Sequence, residues 1–426
     1  MRPARVVTSG KATAEAAVQD KDTPMQSTDY LDIALHVGYS SDREYPVAVV
    51  QSPEGHALAI SSFLFSQALE SCLEDLNRAL LRSGGRGRKR HTKQVAEAQE
   101  CGQRLFDAAL TGEVRTLFDA YQRHAADEQK AIRLKLYIYP PQLAALPWEF
   151  LYDSSSGEFV CLSGVTPLVR CLDRPQPSPA TEVMPPLRIL GVVASPPDFA
   201  PEDAQREEQR LEEATRHLRA SGLVELDWVR GQTWRDVQYA LGKGSWHVLH
   251  YVGDGGFDPQ ANEGFLVLAD ETGHSHELSA GRLGRLLASR GSPPLVLLSL
   301  CEGARHDNGD RFSSTASALV ERDTATVLAM PYSMTQPAAA AFANALYEAL
   351  SRTKPVDVAV AQARLAIHAV TADTIEWGIP VLYSHSPETR LFDRTALGEA
   401  ALRRGDEALT HDNLERAIAQ YVLADE

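Results

Sequence analysis

Apolar and polar positions begin to alternate at Leu31. In LDIALHVGY (Leu31 to Tyr39) and YPVAVVQS (Tyr45 to Ser52) the two classes roughly alternate, and a turn intervenes, which predicts a β-hairpin near a sheet edge. The next stretches switch to a spacing of three and four. Helices are therefore expected over Phe63 to Leu81, Gln94 to Leu110 and Glu113 to Ala126, each with one packed face. A further strand, IRLKLYIY, leads into the segment PPQLAALPWEFLYD, where Trp148 is expected to anchor the chain against a sheet.

Between Pro175 and Pro186 there are five prolines in twelve residues, the clearest candidate for a boundary. Beyond it the rhythm is strand then helix. RILGVVAS, VELDWV, WHVLHYVG, PLVLLSL and ATVLAM read as strands, with helical patterns at 203–219, 233–242, 279–289, 313–322, 335–351 and 355–370. Nearly unbroken Val, Leu and Ile runs mean strands buried on both faces. The expected fold class is α/β, with a mainly parallel sheet between helical layers.

Charge and cysteine content narrow the function. Lys plus Arg number 42 against 57 Asp plus Glu, a net charge of −15, which argues against general nucleic-acid binding. The one basic cluster, Arg82 to Lys93, is interrupted by glycine, lacks aromatics and reads as a solvated loop. Five cysteines, an odd number without CxxC spacing, suit a reducing cytoplasm better than a disulfide framework. No apolar run is long enough to span a membrane, and the opening residues lack the apolar core of a signal peptide, so 1–27 reads as a disordered leader. There is no P-loop and no GxGxxG, so no cofactor is expected. His274 and His276 lack a third ligand at metal spacing and read as part of a turn or short hairpin, so no metal site is expected either.

In α/β sheets, ligands and reactive groups gather at the carboxyl ends of strands. Two ends stand out: WHVLHYVGDGGFD, which closes on Gly253, Asp254, Gly255 and Gly256, and PPLVLLSLCEGA, which closes on Cys301. A cysteine there, entering a glycine-containing turn, can present its sulfur beside backbone N–H groups, as a nucleophile requires. Taken by itself, a cysteine at a strand end is more often a small buried hydrophobe.

Four segments, LPWEFLYD, HYVGDGGFD, LLSLCEGA and EWGIPVLY, stand in an order that resembles the CHAT family of caspase-like cysteine peptidases, relatives of separases and caspases. The likeness covers roughly residues 130 to 385. It implies a caspase-like three-layer α/β/α sandwich and a Cys-His dyad that cleaves a protein partner through a thioester. Cys301 matches the nucleophile. Gly255 matches the glycine whose N–H helps hold the oxyanion. The position of the dyad histidine, in the family's Gly-His-Gly, is occupied by Asp254.

That substitution bears directly on chemistry. An imidazole can take the thiol proton and return it to the leaving amine, whereas a carboxylate with a reference pKa of about 4 is a poor acid at pH 7 and disfavours a neighbouring thiolate. His250, four residues upstream, lies about 13 Å away along a strand at about 3.3 Å per residue. It reads as a buried polar residue bonded to the loop and not as a substitute base. After Cys301, EGARHDNGDRFSS carries His306, Asp307 and Asp310, which would border the cleft; His306 is a distant candidate for rescue of the dyad.

The resulting division is a leader (1–27), an amino-terminal α+β lobe (28–174), the Pro-rich linker (175–187), the caspase-like lobe (188–393) and a short helical tail (394–426). Ala417, Tyr421 and Ala424 give that tail the spacing of half a tetratricopeptide unit. Two functions compete: a cytoplasmic cysteine endopeptidase acting through Cys301, Gly255 and some histidine, and a pseudopeptidase that keeps the cleft as a protein-binding or regulatory module. Both have a protein partner and neither engages nucleic acid or membrane. A third reading, a small-ligand site away from Cys301, would need a formed pocket there.

Overall fold

The computed structural model describes residues 30–51, 59–82, 88–163, 166–172, 186–198, 204–300, 313–322, 324–352, 354–371 and 373–385, together with Leu402 and Asp406. The expected leader, the core of the Pro-rich linker and nearly all of the expected tail lie outside the described residues. So do Cys301, His306, Asp307 and Asp310.

The strands, in chain order, are β1 (Tyr30–Val37), β2 (Glu44–Gln51), β3 (Ala59–Leu64), β4 (Ala131–Ile138), β5 (Tyr152–Asp153), β6 (Glu158–Phe159), β7 (Leu168–Cys171) and β8 (Leu187–Val193). They continue with β9 (Val224–Trp228), β10 (Val248–Gly253), β11 (Gly255–Asp258), β12 (Glu263–Ala269), β13 (Ser275–Ser279), β14 (Leu295–Leu300), β15 (Thr326–Met330) and β16 (Val381–Ser384). Eleven of them form one sheet in the order β3-β2-β1-β4-β7-β16-β15-β14-β10-β8-β9. Neighbours run parallel except at β3–β2, β2–β1 and β16–β15, so the sheet is mainly parallel as expected. Pairing of β7 with β16 joins strands from both sides of the Pro-rich stretch into this one sheet.

Helices cover both faces of the carboxyl-terminal half. On one side Val248, Leu297, Leu328 and Met330 pack with residues of helices Ala204–Ala214, Gln336–Ser351 and Val356–Val370. On the other, Leu249, Tyr251, Val296, Leu298 and Val327 pack with helices Trp234–Leu241, Ala280–Ala288 and Ser313–Glu321. Alternate strand residues thus feed two cores, the physical basis of the three-layer α/β/α sandwich.

Local departures from the sequence pattern have local causes. The helix expected from Phe63 starts at Gln67, because Phe63 and Leu64 extend β3 against Tyr45 and Glu44 while Ser66 caps the helix by accepting the Leu69 N–H at 3.2 Å. The basic stretch read as a loop is already helical from Arg88, once its glycines are passed. The helix expected over 203–219 breaks at Thr215, whose hydroxyl donates to the Leu211 carbonyl at 2.8 Å. The segment after β10, rich in glycine, forms a small sheet of β11, β12 and β13 that no periodicity announced.

The LPWEFLYD segment is clamped to the sheet. Glu149, 1% exposed, receives the Arg170 guanidinium of β7 at 3.1 and 2.5 Å, and Arg170 also donates to the carbonyls of Ala144 and Leu146. Trp148 is fully buried and donates from Nε1 to the Leu143 carbonyl at 2.8 Å, which satisfies its one polar atom. Gly102 of helix Arg88–Ala109 lies so close that a Cβ there would sit 2.0 Å from the Phe150 carbonyl oxygen.

Candidate functional site

β8, β10, β14 and β15 run parallel, so their carboxyl ends line up: Val193 follows Val192 beside Tyr251 and Val252, Gly253 pairs with Leu300, and Ser299 pairs with Met330. Asp254 leaves β10 one residue past Gly253. Cys301 is one peptide bond beyond Leu300 and is outside the described residues.

The turn at Asp254 is built tightly. Tyr251 Oη lies 2.7 Å from the carbonyl oxygens of both Asp254 and Val267, and the Val267 N–H donates to the Asp254 carbonyl at 2.9 Å. A Cβ on Gly253 would meet that phenol oxygen at 2.3 Å, so glycine is required for the approach. Asp254 is only 6% exposed, and its Oδ1 accepts the N–H of Gly255 at 2.8 Å. The backbone donor that the family resemblance assigns to the oxyanion is therefore engaged by the side chain standing at the histidine position.

His250 sits inside β10, buried. Its Nδ1 is 2.7 Å from the hydroxyl of Tyr347, on helix Gln336–Ser351, and its Nε2 is 3.4 Å from Ser299 Oγ. The expected bond to the loop is thus replaced by bonds to a helix and to β14. Burial pushes the imidazole down to about 3, so it is neutral at pH 7, and burial likewise pushes the Tyr347 phenol up. Asp254, Gly255 and His250 therefore share one strand and its exit, yet His250 is turned to the helical layer.

Beside them a pocket opens at the strand ends, with a cavity volume of about 70 Å³. Val252, Ser299 and Met330 line it from the sheet, and Met334, Ala339 and Phe342 from the chain beyond β15. Buried Glu376 fixes that chain, accepting the Thr335 N–H at 2.5 Å and its hydroxyl at 2.9 Å; this is the role of the acid in EWGIPVLY. Nothing in the periodicity marks these wall residues. The available signal was MPYSM, Met330 to Met334, an apolar and polar mixture directly after a strand and directly before a helix start.

His274 and His276 fall in the β12–β13 hairpin. Asp270 Oδ1 accepts the N–H groups of Thr272 and His274, closing the turn, and His276 stands opposite Leu268. Among the described residues no group of three or more His, Cys, Asp or Glu side chains could hold a metal ion. No helix among them is long and apolar enough to cross a membrane.

Structural similarity is distant. Two crystal structures of the Saccharomyces cerevisiae separase–securin complex align with TM-scores of 0.48 and 0.46 at 9% and 10% identity, each covering 83% of this chain and 30% of the other. The complex of Porphyromonas gingivalis RgpB pro- and mature domains aligns at 0.37 and 11% identity, covering 76% and 78%. This chain therefore spans less than a third of the separase chains it resembles. No curated protein sequence matches it. The CHAT domain profile matches residues 99–389, well over half of the sequence and including every strand end described above, and the chain belongs to the CHAT domain family.

Proposed function

We propose that this chain is a catalytically silent member of the CHAT family that keeps the strand-end cleft as a site for binding a segment of a protein partner. The observation that carries this reading is the 2.8 Å bond from the Gly255 N–H to the Asp254 carboxylate. A tetrahedral oxyanion needs an N–H that is waiting for it. Here that donor already faces a carboxylate, and an incoming oxyanion would have to displace one anion to take its place. The same side chain removes the imidazole that would shuttle the proton.

His250 does not restore it. Its imidazole is neutral at pH 7 and only 6% exposed, and its Nδ1 is bonded to Tyr347, so it is not poised to take a thiol proton and return it to a leaving amine. A cleft without acid–base machinery can still bind, and both partner readings from the sequence require a protein at this place. Incubation with a thiol-reactive peptide probe and candidate partner proteins tests the proposal, using the wild type, Cys301→Ala and Asp254→His. The wild type is expected to label no more than Cys301→Ala and to cleave nothing. Cys301-dependent cleavage by the wild type would instead establish the endopeptidase.

A further inference from the structure

The strand-end pocket presents no unbalanced charge. Its charged side chains, Glu207 and Arg210, form an ion pair with each other along helix Ala204–Ala214. Its imidazole, His250, is neutral at pH 7. The remaining surface is mostly methyl, thioether and ring: Val252, Met330, Met334, Ala339 and Phe342. A carboxylate or ammonium entering here would lose its hydration and find no opposite charge to replace it. An aliphatic side chain would exchange water for apolar contacts, and two methionines let the wall adapt to its shape.

The pocket also lies where a peptide would pass. Val252 and Ser299 stand two residues before Asp254 and Cys301 along their strands. Directly beyond Asp254, β11 is the edge of its three-stranded sheet and carries the half-exposed Phe257, so an extended segment can add to it through main-chain hydrogen bonds.

We infer that this pocket receives an uncharged aliphatic side chain, leucine or methionine in size, from an extended segment of a protein partner. This rests on the reading of the strand ends as a peptide-binding cleft.

The test is selection of a random dodecapeptide phage library on the full chain, followed by synthesis of the enriched peptide with Leu, Met, Asp, Lys or Gly at its most selective position. Ala339→Trp fills the pocket from a half-buried helical position, and Ala340→Trp does so from an exposed one, with circular dichroism checking that each folds. Asp254→Arg perturbs the strand end outside the pocket. Expected is a preference for Leu or Met over Asp and Lys of about tenfold or more, lost in the two tryptophan variants. Peptides that respond to Asp254→Arg but not to either tryptophan, or that require a charged residue, overturn the pocket inference and leave the cleft reading standing. A selection yielding no peptide sensitive to any of the three variants overturns the cleft reading itself.

Discussion

The Asp254 carboxylate accepts the backbone N–H of Gly255 at 2.8 Å in a site that is almost closed to water. A charge-assisted bond of this kind contributes about 1.5–3 kcal/mol, and removing the acceptor leaves a buried donor unsatisfied. Asp254→Ala is therefore expected to lower unfolding free energy by about 1–3 kcal/mol. Asp254→Asn keeps an acceptor oxygen and should stay within about 1 kcal/mol of wild type. Urea unfolding at pH 7 measures both, and equal losses in the two variants would show that the bond does not contribute to stability.

Acid should destabilise the fold through two buried imidazoles. Burial holds His250 at about 3 and His247 at about 4, against about 6.5 when unfolded. Between those values the unfolded chain binds more protons, so stability rises with pH across roughly 3 to 6.5 and these two groups contribute no slope above it. Each histidine adds at most about 1.4 kcal/mol per pH unit within its window. His250→Phe is expected to flatten the limb between about pH 3 and 6.5 in urea titrations, and the His250 ring resonances should not titrate between pH 7 and 5 in NMR spectra.

Arg170 and Glu149 tie LPWEFLYD to β7 in the interior. Truncating one partner of a buried pair strands the other charge and typically costs about 3–5 kcal/mol. Glu149→Ala should show a loss of that size in chemical denaturation, without a direct effect on the strand-end pocket. A loss below about 1 kcal/mol would mean that Arg170 is held well enough without Glu149, by partners that include the Ala144 and Leu146 carbonyls and Tyr383.

How far the sequence speaks depends on how local the deciding contact is. The runs RILGVV, HVLHYV and LVLLSL are readable as buried strands because each residue type states its own burial, and all three form β8, β10 and β14. The apolar spacing of Phe63 and Leu64 fits a helix as well as a strand; pairing with Tyr45 and Glu44 decides the matter, and that is a tertiary contact. The same holds for His250, whose partner Tyr347 lies 97 residues away, and for the pocket wall after β15, which exists only once Glu376 has fixed Thr335. Asp254 was legible as a departure from the Gly-His-Gly pattern. Its bond to Gly255 was not, because the pattern fixes residue types and leaves side-chain direction open.

The most direct measurement is the cleavage and labelling comparison at Cys301. Peptide mapping by mass spectrometry after exposure to a thiol-reactive peptide probe resolves Cys301 from Cys72, Cys101, Cys161 and Cys171. Of these, Cys101, Cys161 and Cys171 are buried. No cleavage of partner protein by the wild type is expected, and no labelling of Cys301 above that by a scrambled probe. Cleavage by the wild type that disappears in Cys301→Ala would show an active endopeptidase and overturn the catalytically silent reading.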